Sequence, residues 1–166
     1  MLKYSFVIFL LVFLDKSLFA EELNASTVVE SAMEILPSHP GEHGETTIEG
    51  VDSDADGVRD DIEHFIESKL NDSLKMKRYA YWYAYVSSRR VEFRNTDMEM
   101  YWALQWFGAM TCIFERFSET EVDLLVWGVK GAMDNTKARV SEHMMFNGRM
   151  GGSVIGIEEC QLDVNE

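Results

Sequence analysis

The feature that most constrains this chain is a twelve-residue stretch, Asp52 to Glu63, that carries six carboxylates. So many negative charges in so short a segment repel one another unless a cation neutralises them. Acids stand at the first, third, fifth, ninth and twelfth places, and Gly57 stands at the sixth, where a calcium-binding loop turns sharply. Asp61 is a sixth carboxylate that this spacing does not require. The alternative interpretation of the segment is a solvated acidic turn. The spacing predicts a calcium site with these ligands: Asp52, Asp54, Asp56, the backbone carbonyl of Val58, Asp60 and Glu63.

The segment resembles the aspartate-rich repeats of thrombospondin type 3 and, more loosely, the loops of EF-hand and dockerin modules. The matching residues are Asp52, Asp54, Asp56, Gly57, Asp60 and Glu63. Two departures from the EF-hand pattern matter. Arg59 replaces the aliphatic residue that pairs with a second loop, and the Pro- and Gly-containing stretch from His39 to Gly50 excludes an entering helix. We therefore expect a lone loop feeding one exiting helix, with a structural ion bound in the ~10⁻⁴–10⁻³ M range of extracellular modules.

As a whole, the chain resembles small secreted bacterial proteins that place such an acidic stretch ahead of a helical region. The segment 135–147 belongs to the same pattern. This resemblance implies export, and it carries no catalytic residue to this chain.

The first twenty residues have the layout of a secretory signal peptide. Lys3 precedes the apolar run Phe6 to Leu14, and a polar break leads to Ala20, after which we expect cleavage. The alternative is an uncleaved amphipathic anchor. The run is too short to span a bilayer, so the sequence predicts a periplasmic or secreted protein with no membrane span after cleavage. The net charge of −14 argues against nucleic acid and anionic membranes as partners.

The chain contains two cysteines, Cys112 and Cys160. In an oxidising compartment an even pair predicts a disulfide, and two buried free thiols are the alternative. Neither cysteine stands in a redox or metal-ligand spacing, so the predicted role is structural.

Hydrophobic periodicity of 3.6 residues recurs along the chain, and no strand-type alternation persists. We predict an all-α fold, an irregular bundle of four to five helices preceded by the lone calcium-binding loop. Residues 21–50 would form a short helix and a linker, and residues 51–166 the loop, the helical domain and a C-terminal tail. The segment from Met100 to Phe114 is apolar nearly all round, which predicts the buried central helix.

No catalytic motif is present, so we expect a non-enzymatic interaction or structural module whose partners are Ca²⁺ and another envelope or extracellular protein. The alternative is a small calcium-stabilised hydrolase acting on cell-wall or glycan substrates. Such an enzyme would use Glu63, Glu67 or Glu142 beside His64 or His143.

Overall fold

The computed structural model describes residues 25–70, 72–151 and Cys160. The predicted signal peptide and most of the predicted tail lie outside the described residues. Within the described part there are six helices and no strand. They are α1 (Ala25–Ala32), α2 (Asp60–Lys69), α3 (Leu74–Glu92), α4 (Glu99–Arg116), α5 and α6 (Lys137–Met150), and a 3-10 turn lies at Gly41–Glu45. In α5, Glu119–Val122 and Val129–Met133 are α-helical, and Asp123–Gly128 between them is π-helical.

The predicted all-α class is confirmed, and five of the described helices follow the acidic loop. Their starting points follow from the capping residues. Ser73 accepts a hydrogen bond from the backbone N–H of Met76 at the start of α3, at 3.2 Å. Ser118 and Glu121 form a capping box at the start of α5, and Thr136 caps α6. Three helices of the body, α3, α5 and α6, therefore carry explicit start signals, whereas α2 and α4 begin without a side-chain cap.

Helix α3 lies at the centre of the bundle, because α1, α2, α4 and α5 all pack against it. Aromatic side chains on successive residues of a helix cannot all face one way. With neighbours on every side, however, all of them can be buried. None of the five is more than 6% exposed: Tyr79, Tyr81, Trp82, Tyr83 and Tyr85.

The prediction that the Met100–Phe114 segment forms the central helix is wrong. It lies in α4, which packs against α3 and the first part of α5 along one side. Its other side exposes large apolar side chains to between 38% and 50%: Met100, Tyr101, Leu104 and Phe114. Apolar content alone did not identify the central helix, because the tyrosines and arginines of α3 make that helix look more polar than its surroundings are. Among the described residues, no helix is long and apolar enough to cross a membrane.

The predicted disulfide is confirmed. Cys112 of α4 is bonded to Cys160, with their Cα atoms 4.7 Å apart. Cys112 itself is 1% exposed and belongs to the hydrophobic core. The bond therefore fastens the C-terminal part of the chain to a core helix.

Candidate metal centre

The acidic loop closes on itself through its own backbone. The N–H of Asp60 donates to the carbonyl of Val51 at 2.9 Å, which joins the two ends of the loop. Inside it, Asp52 Oδ2 accepts from the N–H of Gly57 at 2.9 Å, and Asp56 Oδ1 accepts from the N–H of Val58 at 2.7 Å. Each of these two carboxylates thus has one oxygen fixed by the backbone, which orients the group as a whole.

Gly57 is required at its place both for its conformation and for space. Its φ is +94°, in the left-handed region that favours glycine. A Cβ there would lie 2.6 Å from Cε2 and 2.9 Å from Cδ2 of Tyr85 on α3. The turn of the loop therefore presses directly on the central helix.

The carboxylates gather into two overlapping groups that share Asp54. Asp52, Asp54 and Asp60 each offer an oxygen such that the three lie within 4.8 Å of one another, and Asp54, Asp56 and Glu63 do the same. The structure therefore brings together all five acidic side chains that the spacing singled out. An acidic cluster of this kind could hold a metal ion.

The burial of Glu63 distinguishes this cluster from an ordinary solvated acidic turn. It is 0% exposed, and neither Oε1 nor Oε2 has a hydrogen-bond partner among the residues that the structure describes. Oδ2 of Asp56 is likewise buried without a partner. A buried carboxylate without a donor or a cation is strongly unfavourable. These atoms are therefore suited to a ligand that supplies positive charge.

The pKa values within the cluster also favour a positively charged ligand. Burial, followed by the negative charges of Asp56 and Asp54, raises the pKa of Glu63 from 4.5 to about 9. Burial also raises the pKa of Asp56 to about 6, against a lowering hydrogen bond from the N–H of Val58. Without a cation, the site therefore retains a proton on Glu63 at neutral pH.

The loop is anchored to the core at its C-terminal end. The side chain of Val58 is 0% exposed and lies in the hydrophobic core. Asp60 is 1% exposed, begins α2 and accepts from the N–H of Ser53 at 2.8 Å. Ile62 and Ile66 of α2 are also fully buried, so Glu63 sits on a helix that cannot turn away from the loop. That the carbonyl of Val58 is a ligand stays a prediction.

Arg59, which departs from the EF-hand pattern, has a structural role that the sequence reasoning missed. Its side chain is 4% exposed and forms an ion pair with Asp61, with Nη2 and Oδ2 2.5 Å apart. Its Nη1 donates to the carbonyl of Met133, at the end of α5, at 3.0 Å. The signal was present in the sequence, because an arginine at an inward-facing position needs acceptors nearby. The position that would pair with a second loop is here tied to the helical body instead.

Arg139 of α6 fastens the preceding linker in the same way. It is 4% exposed and donates to the carbonyls of Gly44, Thr47 and Ile48, the last two at 3.0 Å. Nothing in the sequence spacing connects these residues, which are more than ninety positions apart. The predicted linker is therefore bound along its length to the helical body.

His64 and Glu67, two of the residues considered for the hydrolase alternative, make structural contacts. Nε2 of His64 lies 2.8 Å from the carbonyl oxygen of Pro37, and its ring centroid is 5.0 Å from that of His39. Glu67 forms an ion pair with Lys77. His64 thus joins the linker to α2 without contacting a carboxylate.

His143 and Glu142, two other residues considered for that alternative, do not hydrogen-bond each other. Nδ1 of His143 lies 3.2 Å from Nη2 of Arg90, and Glu142 pairs with Arg149 at 2.7 Å. Across the described residues, no histidine hydrogen-bonds a carboxylate. These contacts give the hydrolase alternative no support.

The acidic loop, the buried Glu63 and the two arginines behind them make up the candidate centre of this chain. Its geometry comes from the described residues alone. Comparison of the whole chain with models of protein families, with curated proteins and with solved structures gave no match.

Proposed function

We propose that this protein is an exported, non-enzymatic helical module that binds one calcium ion in the loop Asp52–Glu63. The observation that carries the proposal is the fully buried Glu63, whose two unpartnered oxygens lie beside Asp54 and Asp56. A cation at that point supplies the missing partner and relieves the repulsion among the acids. Its role is structural, because it links the loop to the first turn of α2.

Calcium fits the donor set better than other common cations. The clustered groups are all carboxylates, whereas zinc prefers nitrogen and sulfur ligands. Magnesium requires near-ideal octahedral geometry and retains several waters, which suits sites with one or two carboxylates. Calcium accepts roughly six to eight oxygens in flexible arrangements, and five side chains with a backbone carbonyl approach that number.

Two independent features support export. The first is the signal-peptide layout of residues 1–20. The second is the Cys112–Cys160 disulfide, since such bonds persist in oxidising compartments. In those surroundings a site with a dissociation constant of ~10⁻⁴–10⁻³ M would be filled continuously. The partner that we propose besides the ion is another envelope or extracellular protein, and the exposed apolar side of α4 is consistent with one.

Calcium is expected to stabilise the protein. At about one hundred times its dissociation constant it should raise the free energy of unfolding by ~2.7 kcal/mol, and chelation should reverse the effect. Glu63→Gln should abolish this stabilisation, because the amide keeps the shape of the side chain but cannot supply the negative charge. Thermal or urea unfolding with calcium, with magnesium and with a chelator measures it.

The matched control is Glu115→Gln, the same chemical change at an exposed position of α4. This variant should retain the full calcium effect. The assignment to calcium fails if the unaltered protein unfolds identically with calcium and with chelator. A larger effect of magnesium than of calcium would keep a metal site but exclude the proposed ion.

Calcium binding is expected to release protons. The pKa of Glu63 is raised above its usual value in the metal-free folded state, so this state holds an extra proton between pH 4.5 and about 9. The metal-free protein should therefore lose stability as the pH rises through this window, whereas the calcium-bound protein should not. At neutral pH, calorimetric titration in buffers of different ionisation enthalpy should detect about one proton released per ion. A binding heat that is the same in every buffer would contradict this.

A further inference from the structure

Behind the acidic loop lies a cavity of about 360 Å³. The loop forms one wall through Gly57 and Val58, and α3, α4, α5 and α6 form the others. Its size falls at the lower end of the range typical of small-molecule sites. The apolar part of the wall includes Tyr83, Trp106 and Met133, which are at most 9% exposed.

The wall of this cavity carries five cationic side chains against four carboxylates, Glu49, Asp52, Glu92 and Asp134, although the chain as a whole carries a net charge of −14. The cationic side chains are Arg59, Arg89, Arg90, Lys130 and Arg139. Most of them have partners. Arg59 pairs with Asp61, Arg89 with Glu92 at 2.5 Å and Lys130 with Asp134 at 2.6 Å. The guanidinium of Arg139 is occupied by the linker carbonyls.

Arg90 is the exception. It is 7% exposed, and its Nε and Nη1 have no hydrogen-bond acceptor within the described part of the chain. Its Cζ lies 4.7 Å from the ring centroid of Trp106 and 4.2 Å from that of Phe146, so its faces rest on aromatic rings. Among the described residues, its one hydrogen bond runs from Nη2 to Nδ1 of His143. The negative charges of Asp134 and Glu142 act on it, but these carboxylates are paired with Lys130 and Arg149 and do not hydrogen-bond the guanidinium. A buried guanidinium whose set of acceptors is not filled is unfavourable, so an anion bound at this point would stabilise it.

Two neighbours add polar groups to the same wall. Ser88, which follows the buried Ser87 on α3, has a buried Oγ without a partner. Burial, followed by the charges of Arg90 and Lys130, lowers the pKa of His143. His143 is therefore neutral at pH 7, and with Nδ1 accepting from Arg90 it carries its proton on Nε2. A hydroxyl and an imidazole thus stand beside the guanidinium.

We propose that this cavity binds a small organic anion, whose carboxylate or phosphate group is held by Arg90 and whose apolar part lies against Tyr83, Trp106 and Met133. One unmatched cation favours a single negative charge, and the aromatic wall favours a ligand with an apolar body over an inorganic ion. The proposal rests on the cavity and on Arg90, and it does not depend on which ion the loop binds.

The test uses the full-length protein with its disulfide intact and millimolar calcium present. Benzoate, phenyl phosphate and the neutral analogue benzamide are titrated while NMR follows the indole N–H signals, with that of Trp106 assigned from Trp106→Phe. We expect at least one of the two anions to shift the Trp106 signal saturably in the millimolar range or below. Benzamide should bind about tenfold more weakly or worse, because it lacks the charge that Arg90 recognises.

The decisive variant is Arg90→Gln, which should weaken binding of the anion about tenfold or more. Its control is Arg78→Gln, an equal change of charge on the same helix α3 but outside the cavity wall. The control should bind within about twofold of the unaltered protein, since Arg78 does not line the cavity. Should Arg90→Gln fail to fold, the comparison of the tighter of the two anions with benzamide on the unaltered protein decides.

Three results would overturn the proposal: neither anion shifts the Trp106 signal, benzamide binds as well as the tighter of the two anions, or folded Arg90→Gln binds that anion as well as Arg78→Gln. A preference between benzoate and phenyl phosphate identifies which anionic group the cavity takes. The titration is then repeated with chelator, so that the two proposals are tested separately. If the protein binds the anion but takes up no calcium, the calcium proposal fails and the cavity assignment remains.

Discussion

Gly57→Ala is expected to destabilise the protein by about 4 kcal/mol, from roughly 1–3 kcal/mol of backbone strain and a similar cost of overpacking. The strain arises because alanine rarely adopts a φ of +94°. The overpacking arises because the new methyl group would lie 2.6 Å from the ring of Tyr85. That ring stacks on Trp82, with centroids 5.8 Å apart, so it cannot move aside freely. Urea unfolding monitored by circular dichroism measures the loss.

The control for this substitution is Gly131→Ala. Gly131 is exposed in the last α-helical part of α5, and a Cβ there would meet nothing within 4 Å. Alanine should stabilise that helix by ~0.5–1 kcal/mol, through its better helix propensity. Opposite signs for the two substitutions would attribute the first result to the loop turn. If Gly57→Ala proves as stable as the unaltered protein, the described packing of the loop against α3 is wrong.

Removing the disulfide is expected to lower the free energy of unfolding by ~4 kcal/mol, on the chain-entropy account of cross-links. Cys112 and Cys160 are 48 positions apart, so the unfolded chain gains much freedom when the bond is absent. The double variant Cys112→Ala, Cys160→Ala avoids leaving a polar group in the core. Urea unfolding under non-reducing conditions compares it with the unaltered protein.

A thiol reductant provides the internal control. It should destabilise the unaltered protein by a similar amount and leave the double variant unchanged. Calcium should still stabilise the reduced protein, because the loop and the disulfide lie in different parts of the chain. Equal stability of the oxidised and reduced proteins would contradict the expected contribution of the bond.

The candidate centre is supported by contacts of the loop with the core and with the central helix. Gly57 lies against the ring of Tyr85, Val58 is buried in the core, and Glu63 lies on the buried face of α2 with Ile62 and Ile66. An ion bound by the loop would therefore stabilise contacts with α2 and α3 at once. Through these contacts the proposed calcium ion would stabilise the fold.

Local signals made several features predictable. Ser73, Thr136 and the Ser118–Glu121 box announce helix starts, because a side-chain oxygen at that place satisfies a backbone N–H that the helix leaves free. The alternate acids and the central glycine of the loop are likewise a pattern within twelve residues. Such features are readable because their physical causes act between neighbours in the chain.

Other features depended on contacts between distant parts of the chain. The sequence by itself determined an all-α chain, the starts of α3, α5 and α6, an acidic loop with one obligatory glycine, and a pair of cysteines able to bond. Only the tertiary structure decided that α3 rather than α4 is central, that Arg59 and Arg139 hold the loop and the linker, and that Arg90 is left unpaired beside a cavity. The reason is that burial and charge pairing depend on which surfaces meet in space, and composition along one helix does not specify its neighbours.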